Sequence, residues 1–398
     1  MEVKNVVIGV SGGIAVYKAL DVISRLKKAD FGVDVIMTNS ASKFVTPLSF
    51  QSLSGNKVIN DMFEEPKSWE IQHISLAKKA DILVVVPATA NIIGKVANGI
   101  ADDMLSTTIM AAYGRCPIVF APAMNTNMYK NPIVQNNIKK LKDYGYIFIE
   151  PEKGRLACGD VGEGKLADTE LIYENIKSLL YNKKDLAGKK VMVTAGPTIA
   201  PIDPVRFITN HSTGKMGYAI AEEARDRGAE VTLISGETSL KPPFGVDFIK
   251  VSTNSEMMEK VLEKFSGSDI VIKSAAVADY KAKNYSKLKI KKASDNLNIE
   301  FVKDNDILKK LGEIKKHQIL VGFAAESNDL IENAYGKLTR KNLDYIVAND
   351  ILSKDAGFAS DENRVVILGS DGSKLELDKM SKRKVAENLF DLLSKKRS

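Results

Sequence analysis

The chain has 398 residues, 44% hydrophobic and 27% charged, with a net charge of +7. That length exceeds one ordinary core and argues for two domains of a globular protein. No apolar run approaches the ~20 residues that cross a bilayer. The two cysteines, Cys116 and Cys158, are too few for a disulfide framework, so the expected setting is a reducing cytoplasm with no membrane partner.

In chain order, the first strand (Val3–Val10) is short and runs straight into a glycine turn, which is not the layout of a signal peptide. Further strands are expected at Val33–Thr38, Asp81–Pro87, Pro117–Ala121 and Tyr146–Ile149, with helices at Ile14–Lys28, Ala101–Tyr113 and Pro132–Tyr144. Continuous apolar runs such as ILVVVP and PIVFAP mark strands buried on both faces, hence a parallel sheet in a doubly wound α/β fold.

A helix at Glu170–Leu180 is followed by the polar stretch YNKKDLAGKK, which places a domain boundary there: domains 1–182 and 189–398, linked by about 183–188. The second half restarts the rhythm with strands Val191–Thr194, Glu230–Ile234, Ile270–Lys273, Leu320–Ala324 and Tyr345–Ala348. Helices fit Lys215–Gly228 and Asn328–Asn342. A closing hairpin (Val365–Leu368 and Lys374–Leu377) and a final helix from Lys382 complete it. The expected fold class is α/β, two doubly wound Rossmann/flavodoxin-like domains with mostly parallel sheets.

Two segments carry the strand–glycine turn–helix pattern that presents backbone N–H groups to an anion: VVIGVSGGIAVYKAL, and VMVTAGPTIAPIDPVRFITNHSTGKMGYAI. The first is not GxGxxG, and its second strand ends Met37-Thr38-Asn39-Ser40 without the carboxylate that binds a dinucleotide ribose. The hydroxyls of Ser11, Thr38 and Ser40 suit a single phosphate, such as that of flavin mononucleotide. The turn PATAN returns Ser106-Thr107-Thr108 on a helix, Asn125 follows a buried strand at the end where α/β ligands bind, and Cys158 sits in a glycine-rich loop able to act as a flap. His73 is one of three histidines. In the second segment, Gly214-Lys215 is followed by Met216 and lacks P-loop spacing. The basic stretches Lys281–Lys292 and KSKKRS come without a nucleic-acid-binding signature. Anionic small substrates account for the charge, and no nucleic-acid partner is expected.

Taken in order, GxSGxIAxYK, PATAN, PAMN, ACGDxGxG, AGPTxxPxDPVRxxxNHSxGKMG, AAVADY, KLKxKK and GFAAE make the first half resemble the flavin-dependent cysteine decarboxylases. The second half resembles phosphopantothenate–cysteine ligase, and the whole chain resembles the bifunctional decarboxylase/ligase family of coenzyme A biosynthesis. That resemblance implies ligation of phosphopantothenate and cysteine through an acyl-cytidylate (CTP to CMP and pyrophosphate). FMN-dependent decarboxylation of phosphopantothenoylcysteine to phosphopantetheine and CO2 follows. Oxidation of the cysteinyl carbon to a thioaldehyde makes the carboxylate β to C=S, so the electrons left by CO2 flow into sulfur, and the cofactor carries this difficult step.

The resemblance also assigns residues. His73 is a base or orienting group beside the thiol, Asn125 holds the carboxylate, and Cys158 protonates the ene-thiolate. FMN contacts are Ser11, Gly12, Thr38, Thr89, Asn91, Ser106 and Thr107. Asn210 serves acyl-nucleotide formation and Lys289 the cysteine step. Ala275, Asp279, Lys289, Asn305, Asp306, Ile307, Leu308, Phe323, Lys337 and Lys341 contact CTP. Mg2+ is expected with the triphosphate, with no ligand assigned. A homo-oligomer is implied, with a trimeric decarboxylase unit and a dimeric ligase unit, compatible with a dodecamer. Two departures stand out: Lys165-Leu166 where the family has Arg-Met, and Asn305 where it often has Pro. A regulatory relative would tend to lose a catalytic residue or add an acidic tail. A decarboxylase of peptide C-terminal cysteines would lack the second half.

Overall fold

A computed structural model describes residues 3–63, 71–155, 159, 161–291, 297–326, 330–350 and 360–395. The chain divides into two compact units, Met1–Tyr181 and Asn182–Ser398.

The first unit runs β1 (Asn5–Val10), α1 (Val16–Lys28), β2 (Gly32–Met37), α2 (Pro47–Ser54), α3 (Gln72–Lys79), β3 (Ile82–Ala88), α4 (Ala90–Ala97) and α5 (Met104–Ala112). It continues through β4 (Ile118–Pro122), α6 (Thr126–Lys130), α7 (Pro132–Asp143), β5 (Ile147–Phe148), β6 (Glu152–Arg155), β7 (Val161–Lys165) and α8 (Thr169–Leu179). Strands β1 to β5 form one parallel sheet in the order β2-β1-β3-β4-β5. Every residue of β3 is buried, as its unbroken apolar run requires. Val16, Ala19, Val22, Ile23 and Leu26 recur at helical spacing and dock α1 on the sheet. The connection reverses direction between β1 and β3, and ligands of such sheets bind at the strand ends beside that reversal.

The second unit contains β8 (Lys190–Ala195), β9 (Ile199–Pro201), β10 (Phe207–Thr209), α9 (Lys215–Asp226), β11 (Glu230–Ser235), β12 (Asp247–Lys250), α10 (Asn254–Phe265), β13 (Ile270–Lys273), β14 (Tyr280–Ala282) and β15 (Phe301–Lys303). Then follow α11 (Ile307–Ile314), β16 (Ile319–Glu326), α12 (Leu330–Arg340), β17 (Tyr345–Asp350), β18 (Glu362–Gly369), β19 (Lys374–Ser381) and α13 (Lys382–Lys395). Its main sheet is ordered β12-β11-β8-β13-β16-β17-β18-β19. The strands from β12 to β17 are parallel, and β18 and β19 close the edge antiparallel. The reversal here lies between β8 and β13.

The polar stretch expected as a linker is docked on this second unit. Leu186 is buried in its core. Arg227, fully buried, pairs with Glu223, Asp185 and Asp391, and Lys183 pairs with Asp391 at 2.6 Å. Composition marked the stretch as a linker because its lysines and its one aspartate, Asp185, read as polar. In the fold their partners are Arg227, at the C-terminal end of α9, and Asp391 on α13.

Candidate active sites

In the first unit a cleft of about 1060 Å3 opens at the β1/β3 reversal. Its lining includes Ser11, Gly12, Thr38, Thr89, Asn91 and Asn125. The Ser11 hydroxyl donates to the Pro87 carbonyl at 2.7 Å and accepts from the Thr89 N–H at 3.0 Å. The two turns at the ends of β1 and β3 are thereby tied together. A Cβ on Gly12 would stand 2.4 Å from Ser40 Cβ, so only glycine lets this turn approach the end of β2. Beside Gly13 the space is open: a Cβ there would meet nothing nearer than Thr89 at 3.8 Å. No side chain caps the first turn of α1, which leaves its positive end to an anion in the cleft. The hydroxyls, the tight glycine turn and the open lane fit a phosphate-bearing flavin.

Asn125 caps α6: its Oδ1 accepts from the Asn127 N–H at 2.8 Å. The cap occupies the amide oxygen, and an amide N–H2 is a donor of the kind that suits a carboxylate. The flap expected around Cys158 has a more definite base than a loop. Strands β6 and β7 pair as an antiparallel hairpin, and Gly164 is seated against the Asn125 turn, where Met124 N–H donates to the Gly164 carbonyl at 2.9 Å. Gly164 has φ +124°, and a Cβ there would lie 2.4 Å from the Met124 carbonyl oxygen. Cys158 itself lies outside the described residues. Lys165 and Leu166, the departures from the family pattern, both line the cleft; Lys165 pairs with Glu152 at 3.1 Å across the hairpin.

Three other sequence-assigned residues stand apart from this cleft. His73, half-buried in the first turn of α3, is not among its lining residues. Ser106 uses its hydroxyl in a capping box with Asp103 and lines a smaller apolar pocket. Thr107 donates to the Ala101 carbonyl at 3.3 Å. Asp102 and Asp103, which sequence reasoning missed, do line the cleft and both pair with Lys95. Burial opposes ionisation of Asp103, but Lys95 and the Ser106 donors outweigh it and hold its carboxyl below the usual range. The other thiol, Cys116, is packed half-buried beneath the sheet, and burial pushes its pKa up, away from reactivity.

In the second unit the AAVADY turn after β13 is stitched to the glycine turn after β8. Ala275 N–H donates to Thr194 Oγ1 at 3.2 Å, Ala276 N–H to the Gly196 carbonyl at 2.9 Å, and Ala278 N–H to Thr198 Oγ1 at 3.0 Å. Asn210 reaches the same turn, its amide donating to the Val277 carbonyl at 2.9 Å. Asn254, buried at the start of α10, bridges the carbonyls of Ala278 and Asn305. Asp306 caps α11 and pairs with Lys341 at 2.8 Å. Ile307 and Leu308 turn their side chains into the core, so a nucleotide contact there would use backbone groups. Phe323 packs half-buried on the opposite face of the sheet. Lys289 lies exposed in the lysine-rich segment.

Sequence reasoning missed Lys273. It ends β13 beside the β8/β13 reversal and donates to the Ala275 carbonyl at 2.9 Å. Burial pushes its ammonium down to about 8, with Lys341 and Lys337 lowering it further and Asp279 and Asp306 opposing. The available signal was a lone lysine closing the apolar run IVIK immediately before AAVADY. Among the described residues no cluster of three His, Cys, Asp or Glu side chains is arranged to hold a metal, and no helix is long and apolar enough to cross a membrane.

Two family models match the chain: Flavoprotein over residues 1–181, and the DNA/pantothenate metabolism flavoprotein C-terminal domain over 186–396. The chain is 52% identical to the coenzyme A biosynthesis bifunctional protein CoaBC of Bacillus subtilis, over 98% of this chain and 96% of that protein. It is 44% identical to the CoaBC protein of Borreliella burgdorferi, over 98% and 99%. A crystal structure of the C-terminal domain of a CoaBC protein is 43% identical, with a TM-score of 0.46, covering 53% of this chain and 97% of that one.

Proposed function

The chain belongs to the CoaBC family of bifunctional coenzyme A biosynthesis proteins, and we propose that its two reactions map one to each unit. It is a phosphopantothenate–cysteine ligase and a phosphopantothenoylcysteine decarboxylase, and the first unit is a flavoprotein. The ligation belongs to the second unit, whose product is the substrate of the first. The observation that carries this division is that Asn125 and the glycine turn share one cleft in the first unit, while Asn210 meets the AAVADY turn in the second.

In the cleft, Ser11, Gly12, Thr38, Thr89 and Asn91 hold FMN; Ser106 and Thr107, which stand apart from it, are not among the groups that line it. Bound there, FMN would take two electrons from the cysteinyl carbon and return them after CO2 has left, so that the carboxylate's electrons pass to sulfur and the reaction has no net redox change. Asn125 donates its amide N–H2 to the departing carboxylate and orients it. The β6–β7 hairpin seated on the Asn125 turn shields the reacting carbon from water. Cys158, a thiol able to act as an acid, delivers the proton to the product carbon. His73 orients the substrate thiol. Because it does not line the cleft of its own chain, His73 acts in the cleft of a neighbouring copy within a trimer. Mixing His73→Asn with Asn125→Asp chains tests this: restored decarboxylation in mixed oligomers supports sharing, and no restoration refutes it.

In the second unit CTP is the co-substrate. Lys273, Lys337 and Lys341 face its phosphates, and Mg2+ enters bound to the triphosphate. Ala275, Asp279 and the backbone of Asn305–Leu308 hold the nucleoside, and Phe323, whose side chain packs on the opposite face of the sheet, contributes through its backbone alone. Asn210 donates to the charge that develops as the phosphopantothenate carboxylate attacks the α-phosphate and pyrophosphate leaves. Lys289 assists the attack of the cysteine amine, which displaces CMP. The ligase unit is dimeric and the whole assembly cytoplasmic.

A single incubation with phosphopantothenate, cysteine, Mg2+ and CTP, read by mass spectrometry, tests the whole scheme. Phosphopantetheine is the expected product. Turnover with ATP but not CTP would overturn the nucleotide assignment. Accumulated phosphopantothenoylcysteine would overturn the first unit's assignment.

A further inference from the structure

The β9–β10 hairpin grips the lysine-rich segment by its backbone. Asp203, whose side chain is fully buried, accepts from the N–H groups of Val205 and Arg206 through Oδ1, each at 2.8 Å. Its Oδ2 accepts from the Arg206 guanidinium at 2.9 Å and from the Ile290 N–H at 3.2 Å. The same guanidinium nitrogen donates to the Ile290 carbonyl at 3.2 Å. Both backbone groups of Ile290 are therefore held by one ion pair. A second anchor lies four residues upstream, where the Ser286 N–H donates to the Ile202 carbonyl at 3.0 Å. Lys289 stands between the two anchors.

We propose that Asp203 and Arg206 are positioning residues of the ligase, fixing the segment that carries Lys289 and so governing the amide-forming step. The inference rests on the assignment of Lys289 above. A bent segment rich in lysines repels itself and has no regular secondary structure between the anchors, so its own chain does not set where Lys289 points. A buried carboxylate with four donors does. Burial alone would raise the Asp203 carboxyl. The N–H groups of Val205, Arg206 and Ile290, with the Arg206 charge, more than offset it and keep the group ionised. The same hairpin leads four residues on from Arg206 to Asn210. One short element thus reaches the residues assigned to both halves of the ligation.

The test separates those halves in the full-length protein. In Asp203→Asn and Arg206→Met, single-turnover release of pyrophosphate from CTP and phosphopantothenate should stay within about twofold. Amide formation should fall at least tenfold with a raised KM for cysteine, and Arg206→Lys should recover part of the loss. Hydrogen exchange should rise across residues 283–291 and stay unchanged in β8 and β13. Equal loss of both half-reactions, or no loss in either, would overturn the proposal. Lys289→Ala distinguishes the two levels. If it leaves amide formation intact, the Lys289 assignment and this inference fall together. If it abolishes amide formation while Asp203→Asn does not, the positioning role alone falls.

Discussion

Both units begin with an apolar strand, a glycine turn and a helix whose first turn has no side-chain cap, yet they build their sites by different means. In the first, backbone is pressed against backbone: Gly12 against the end of β2, and Gly164 against the Asn125 turn. In the second, Gly236 is likewise pressed against Pro197, but side chains do the bridging between the candidate loops, with Asn210 on Val277, Asn254 on Ala278 and Asn305, and Asp203 with Arg206 on Ile290. Steric seating tolerates no added atom. Polar bridging tolerates volume but not the loss of a donor or a charge. The two sites should therefore fail to different substitutions.

The largest expected effect is on the bridged site. Asn210→Asp removes the amide donor, and ligation should fall by about 10²–10³-fold, the range for losing one donor to a developing charge. Decarboxylation of supplied phosphopantothenoylcysteine should be unchanged; its loss would break the division of labour between the units. In the seated site, Gly164→Val places a branched side chain against the Met124 carbonyl at a backbone angle that valine resists. Decarboxylation should drop about 100-fold while ligation persists. Normal decarboxylation in that variant would show that the hairpin need not rest on the Asn125 turn.

A smaller effect is expected from pH. Lys273 is depressed to about 8, so it is charged below that value and neutral above it. CTP binding measured by calorimetry should weaken several-fold as the pH rises from 7 to 9. Lys273→Met should bind CTP weakly and flatten that profile; an unchanged profile would remove Lys273 from the site. The smallest effect concerns the departure at position 165. Lys165→Arg replaces a point charge with a bidentate fork, and the KM for phosphopantothenoylcysteine should fall by about twofold with kcat unaltered.

Much of this was legible in the amino-acid order. The buried strands announced themselves as unbroken apolar runs, and the glycine turns as breaks in them, because both depend on local composition. The helices α2, α3, α10 and α11 were not assigned from sequence, being short or strongly charged, and their stability comes from the sheet beneath them. The hairpin under the flap was hidden because VGEGK reads as loop: its glycines are there for close approach, not for flexibility. Asp203 and Lys273 gave only faint signals, a place in the DPVR motif and a lone lysine closing IVIK, since a carboxylate in a turn and a lysine at a strand end are ordinary until their neighbours are known.

By itself, then, the order of residues determined two doubly wound units, the positions of their ligand turns, and the residue types available at each. The tertiary structure decided which of them share a cleft, that the polar stretch after Tyr181 is docked, and that one ion pair holds the segment bearing Lys289. Periodicity and turn chemistry act over a few neighbouring residues, and a sequence displays them directly. Burial, charge pairing and the close approach of backbones arise between residues up to some 200 positions apart, as in the Lys183–Asp391 pair, and only folding brings those together.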